Sequence, residues 1–228
     1  MKTTTKTAVL LFSLSPEASQ RQYTTVLNYK ISKKLNQSAL NKIKATGLNY
    51  FHFTENNQIG DSFGARYSNA IATIFSLGYK QIITIGNDTP QLTTAHILQA
   101  QKLVENNQPV LGPSFDGGFY LLAITKSQFN KSQFKTFKWQ TSNVFEQVFN
   151  YLNTQSLSKP TYLLPIFHDL DTSAQAKKLI AVLGISNKTI GALLAQLITG
   201  FNCYTVFKIQ YYTYLFTSQY NNKGSPLL

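Results

Sequence analysis

Six short runs of apolar, β-branched and aromatic residues punctuate the chain: TAVLLFS (7–13), NYFHF (49–53), QIITIG (81–86), PVLG (109–112), GFYLLAI (118–124) and TYLLP (161–165). Runs of this length and make-up predict strands. Between and after them, apolar positions return every three or four residues, which predicts helices over 22–45, 62–77, 93–105, 141–153 and 173–183. In 62–77 the residues Phe63, Tyr67, Ala70, Ile71, Ile74 and Phe75 form one apolar face. In 93–105, Thr93 is placed to cap the start, and Ile97, Ala100 and Val104 line one side. Strands alternating with helices imply βαβ units and a mostly parallel sheet, and strands that are apolar throughout suit a sheet covered on both faces. The expectation is an α/β fold, three-layered α/β/α. In such sheets function collects at the carboxyl ends of the strands.

The pattern changes towards the C-terminus. The stretch 179–201 is apolar but broken by Ser-Asn-Lys-Thr, and its longest clean run falls far short of the roughly 20 residues that span a bilayer. Two short helices, the second capped by Asn187, account for it. The aromatic tail that follows has no clear period. It reads first as a cover for an apolar patch; its alternative use is a homodimer or membrane-surface contact. The chain is thus expected to form one domain over 1–178 with a helical and aromatic extension, 179–228, packed on or beside it.

Composition narrows the chemistry. One cysteine among 228 residues excludes a disulfide framework and a cysteine-built zinc site, and the three histidines lie far apart. The opening MKTTTKTAVLLFSLS reads better as a buried first strand than as a secretory leader, which points to a cytoplasmic protein. The net charge is +12, but the lysines are scattered, with no basic stripe carrying interleaved aromatics. A solvated basic surface, without a specific nucleic-acid partner, follows.

Against that basic background, the placement of the five aspartates is informative. Asp88 (GNDTP), Asp116 (FDGGF), and Asp169 with Asp171 (HDLDT) fall in three short segments, each just after an apolar run. Singly, each is ordinary turn or cap chemistry. Jointly, side-by-side strand ends would crowd several carboxylates. Two like charges 4 Å apart repel by about 4 kcal/mol at an effective dielectric of 20. A divalent cation relieves that repulsion, and all-oxygen ligation favours Mg²⁺ or Mn²⁺.

The run from Gln58 to Ala100, then LGPSFDGGFYLLAI, FKWQTSNVF and HDLDT, resembles the DUF2064 family of glycosyltransferase- or nucleotidyltransferase-like proteins. The resemblance spans about Gln58 to Thr172 and implies the GT-A (nucleotide-diphospho-sugar transferase) fold. It also implies a nucleotide or sugar-nucleotide donor, a small-molecule acceptor and a Mg²⁺ or Mn²⁺ cofactor. By the same resemblance, Asp88, Asp169 and Asp171 are metal ligands; Asp116 is the expected catalytic base, because a carboxylate beside the flexible Gly117-Gly118 can face an acceptor hydroxyl. Gln58, Gly60, Arg66, Gly117, Gly118, Trp139 and Thr141 line the substrate side, with Gly64 in the same matching segment.

One departure stands out. The family's glycine- and lysine-bearing loop after the first strand is replaced here by SLSPEASQRQY, which has neither. Glycine-rich turns present backbone amides to phosphate, and this segment lacks that device. Two readings therefore stay open: a metal-dependent transferase, and a catalytically degenerate binding or scaffold protein on the same fold.

Overall fold

The computed structural model describes residues 6–23, 26–155 and 159–170. Six strands are present: β1 (Thr7–Phe12), β2 (Asn49–Phe53), β3 (Gln81–Ile85), β4 (Val110–Pro113), β5 (Phe119–Thr125) and β6 (Tyr162–Leu163). Each falls within a residue or two of an apolar run identified above. The helices are α1 (Pro16–Tyr23), α2 (Val26–Lys44), α3 (Phe63–Ser76), α4 (Thr94–Glu105), α5 (Lys131–Thr136) and α6 (Val144–Gln155).

The strands form one mixed sheet in the order β2-β1-β3-β5-β4-β6. β1 runs parallel to β2 and β3, and β4 runs parallel to β6. β5 is antiparallel to both its neighbours, β3 and β4. Five strands therefore share a direction, and their carboxyl ends lie along one edge together with the amino end of β5. The expected α/β/α layering is observed. On one face Ala8, Leu10, Ile82, Leu111 and Ile124 pack against α3, α5 and α6 through Ile71, Ile74, Phe134 and Val148. On the other, Val9, Leu11, Ile83, Val110 and Leu121 meet Ala39 and Ile43 of α2 and Ile97, Ala100 and Val104 of α4. Alternate residues of β1 and β3 serve opposite faces, as the two-residue strand period requires.

The helix starts follow local chemistry. Ser62 caps α3 by accepting from the Ala65 amide. Thr93 caps α4 as expected, and His96 completes a reciprocal box, its Nδ1 accepting from the Thr93 amide at 3.2 Å. Burial and the Lys42 charge both hold His96 below the usual imidazole pKa, which keeps that nitrogen an acceptor.

Two differences from the sequence pattern are instructive. The helix expected over 22–45 is preceded by a separate one, α1, inside the segment read as a loop. Pro16 stands at its first position, and the Ala18 amide donates to Ser15 Oγ at 3.1 Å. PEASQRQY has almost no apolar residues, so periodicity could not reveal it. α5 and the 3₁₀ turn Lys126–Gln128 are likewise too short to show a period. The helix expected over 173–183, the Asn187 cap, the extension and the aromatic tail lie outside the described residues. No helix among the described residues is long and apolar enough to cross a membrane.

Candidate functional site at the strand ends

The shared direction of five strands brings three of the predicted acidic residues to one edge. Asp88 follows β3, Asp116 sits in the β4–β5 turn, and Asp169 follows β6. Residues 86–89 are anchored to both neighbouring segments: the Gly86 amide donates to the Tyr120 carbonyl at 3.3 Å, and the Leu170 amide donates to the Asp88 carbonyl at 2.9 Å. The post-β6 segment is tied to β4 through Phe167 N to Pro113 O and Phe115 N to Phe167 O.

The side chains converge on a buried hydroxyl. Thr89 Oγ1 donates to Asp169 Oδ1 at 2.7 Å and lies 3.3 Å from Asp88 Oδ1. Asp169 is buried and Asp88 half-buried. Two carboxylates thus flank one threonine across 80 residues of sequence separation. Nothing in the sequence singles out Thr89 beyond its place in GNDTP. Thr89→Val should keep the shape and remove the hydroxyl, which would leave the buried Asp169 carboxylate short of a donor. A loss of about 1–3 kcal/mol in unfolding free energy, measured in urea, is expected.

Asp116 is arranged differently. Its Oδ1 accepts from Ser114 Oγ at 2.6 Å and from the Gly118 amide at 2.9 Å, while the residue stays exposed. This local turn presents Asp116 at the same edge, but no described contact joins it to Asp88 or Asp169. No group of three or more His, Cys, Asp or Glu side chains with metal-binding geometry occurs among the described residues, and Asp171 lies outside them.

Gly117 has a positive φ of 88°, and a Cβ there would come 2.0 Å from the Ser142 carbonyl oxygen. The requirement for glycine is therefore the crossing of the 142 segment over the turn, sealed by Phe145 N to Gly117 O at 3.0 Å.

Lysine and tyrosine complete the surroundings. Lys42 of α2 donates from Nζ to the Pro90 carbonyl at 2.9 Å, and burial lowers its pKa from the ordinary 10.5 to about 8. Tyr120 donates to Pro165 O at 2.8 Å, and burial, then the Asp169 charge, push its pKa up. The Lys42 shift has a stability consequence. Between about pH 8 and 10.5 the unfolded chain holds a proton that the folded chain has released, so stability rises with pH across that window. Urea melts at several pH values should show the rise, and Lys42→Met should flatten it.

Residues 29–141 match the model of DUF2064, described as an uncharacterized protein conserved in bacteria. The crystal structure of a protein from Desulfovibrio desulfuricans G20, named provisionally as a nucleotide-diphospho-sugar transferase, matches with a TM-score of 0.72. The match covers 84% of this chain and 95% of that one at 19% identity. The chain belongs to the DUF2064 family. Its fold is of the GT-A type, and at this identity the structural likeness speaks to fold alone. Rv0371c from Mycobacterium tuberculosis H37Rv, in complex with manganese, is a more distant likeness at 15% identity and a TM-score of 0.41. That match covers 76% of this chain and 96% of that one. No curated protein matches the chain.

The remaining predicted residues of this DUF2064 chain fall into two groups. Gln58 donates from Nε2 to Ser13 O at 3.2 Å and to Phe53 O at 3.1 Å, clasping the ends of β1 and β2. Gly60 (φ 141°) abuts the first turn of α3, where a Cβ would come within 2.8 Å of Ala65 Cβ and the Arg66 amide. Trp139 lies on Gly64, donates to Phe134 O at 2.7 Å, and joins the rings of Phe63, Tyr67 and Phe119. These three have evident scaffold roles. Thr141 is exposed; its Oγ1 donates to Lys138 O at 2.6 Å and accepts from the Asn143 amide at 3.4 Å.

Arg66 belongs to the other group. It sits half-buried in the first turn of α3, whose amino end meets the β1 carboxyl end through Phe12–Phe63 and Phe12–Tyr67 ring contacts. Its amide donates to Ser62 O at 3.0 Å, while its guanidinium has no hydrogen-bond or ion-pair partner among the described residues, which suits a group kept for an anion.

Proposed function

We propose that this chain is a divalent-metal-dependent transferase that takes a nucleotide or sugar-nucleotide donor and passes a glycosyl or nucleotidyl group to a small acceptor. The observation that carries the reading is the meeting of Asp88 and Asp169 on Thr89, at the strand-end edge of a GT-A-type sheet. Two carboxylates fit a cation that keeps much of its shell as water and substrate oxygen, as Mg²⁺ and Mn²⁺ do. Asp88 and Asp169 would hold it, with Asp171 as the third ligand. When bound, such a cation neutralises a departing diphosphate, worth on the order of several kcal/mol in the transition state. Arg66 adds a second positive charge for the donor phosphates. Asp116, held through Oδ1 by Ser114 and Gly118, keeps its second oxygen to take a proton from an acceptor hydroxyl. The transferase domain would be 1–178, in a cytoplasmic setting, with 179–228 as a C-terminal extension.

The second reading, a binding or scaffold protein, is favoured by one feature. Where a phosphate cradle would follow β1, the Ser15 amide and hydroxyl both donate to the Glu55 carboxylate, at 2.8 and 2.6 Å. Those donors are occupied by a protein anion. Thermal-shift titration with a panel of sugar nucleotides, with and without Mn²⁺ or Mg²⁺, separates the two. Stabilisation that needs metal and nucleotide together supports the transferase; no response to any donor supports the scaffold.

A further inference from the structure

One buried polar group at the same edge is left unexplained by this reading. Asn36 lies in the middle of α2, is 5% exposed, and spends its amide on the ends of two strands. Its Oδ1 accepts from Asn87 Nδ2 at 2.7 Å and from Ser13 Oγ at 3.1 Å, and its Nδ2 donates to Leu14 O at 3.0 Å. Ser13 Oγ also lies 2.9 Å from His52 Nε2 on β2. The proton inventory closes in one way. Ser13 has a single hydroxyl proton, and Asn36 Oδ1 can only accept, so the proton goes to Asn36 and His52 Nε2 donates to Ser13. Flipping the Asn36 amide would set its oxygen against the Leu14 carbonyl oxygen, so its orientation is determined as well.

We propose that Asn36 is a positioning residue that fixes the direction of Asp88. This inference rests on the proposed role of Asp88 in holding the metal. The segment carrying Asp88 is short and irregular. On its far side it is fixed by Thr89–Asp169 and by the bond from Leu170 N. On its near side the described side-chain tie is Asn87 to Asn36, immediately before Asp88. A helix-borne amide that grips the residue beside a ligand limits which way the carboxylate can point. Groups that orient a metal ligand in this manner typically change affinity by about 10–100-fold when removed.

The test uses the full chain and Mn²⁺ alone, followed by electron paramagnetic resonance, together with hydrogen exchange of the metal-free protein. Asn36→Ala and Asn87→Ala should each weaken Mn²⁺ binding by about tenfold. The double variant should be no weaker than the weaker single, because both act through one contact. Exchange should quicken at amides 86–89 in both. Asn87→Ala removes only a half-buried side chain, so it keeps the question answerable should Asn36→Ala fail to fold. Unchanged Mn²⁺ affinity in a folded Asn36→Ala protein, or losses that simply add, would overturn the inference while leaving the metal reading intact. Full Mn²⁺ affinity in Asp88→Asn would instead overturn the metal reading. In that event the exchange data decide the inference: unaltered protection at 86–89 removes it too.

Discussion

Asp88→Asn is expected to abolish the Mn²⁺-dependent stabilisation of the protein by sugar nucleotides and to weaken Mn²⁺ itself by about a hundredfold or more. Removing an orienting neighbour of a ligand already costs 10–100-fold, and here the ligand itself loses its charge. The change is nearly isosteric. It leaves the Asp88 carbonyl to accept from Leu170 N and the Thr89 hydroxyl to donate to Asp169. The metal-free variant should therefore remain folded. Asp116→Asn provides the contrast. Its carboxylate is held by Ser114 and Gly118, so Mn²⁺ affinity should persist while transfer to an acceptor falls. Calorimetric titration of Mn²⁺ into the three proteins reads the affinities, and an acceptor-transfer assay reads the fall in Asp116→Asn. Undiminished binding in Asp88→Asn removes the metal site as drawn.

The largest stability effect is expected at Gly117. An added Cβ would lie 2.0 Å from Ser142 O and 2.7 Å from the Ser142 carbonyl carbon and Cα, all backbone atoms that cannot swing aside. The φ of 88° adds left-handed strain for any residue with a Cβ. Overpacking of about 1–3 kcal/mol and a left-handed penalty of about 1–2 kcal/mol together predict a loss of about 2–5 kcal/mol for Gly117→Ala. For a chain of this size that is a fall of roughly 5–15 °C in melting temperature. Gly47 is the control. Its φ is 72°, but nothing lies within 4 Å of its virtual Cβ, so Gly47→Ala should cost only about 1–2 kcal/mol. Equal losses at the two sites would show that backbone conformation, and not the crossing at Ser142, dominates. Because that crossing also frames Asp116, the Gly117 variant should lose transfer activity in whatever fraction stays folded.

Much of this molecule is legible from its sequence because its strongest signals are local. QIITI and GFYLLAI need no partner to declare themselves strands: β-branched and aromatic residues favour extended backbone, and a run apolar throughout must be covered on both faces. The apolar face of α3 and the Thr93 cap of α4 are equally local. α1 was hidden for the converse reason, since its residues carry no periodic apolar face and its start rests on Ser15 and Pro16 alone. The aspartates were conspicuous because carboxylates are scarce in this chain and three of their segments follow strands.

Other features depend on pairings that no local pattern encodes. That β5 also pairs antiparallel with β3 is set by backbone hydrogen bonds between segments tens of residues apart. That Trp139 needs Gly64 beneath it, and that Glu55 occupies the Ser15 amide, are contacts of the same kind. The sequence by itself determined the layers, the helix faces and the three acidic segments, because burial and backbone preference act residue by residue. Only the tertiary structure decided that Asp88 and Asp169 share Thr89 while Asp116 stands apart, and that Asn36 grips the residue next to Asp88. Those arrangements follow from strand order and direction, which bring side chains 51 and 80 residues apart within hydrogen-bonding distance.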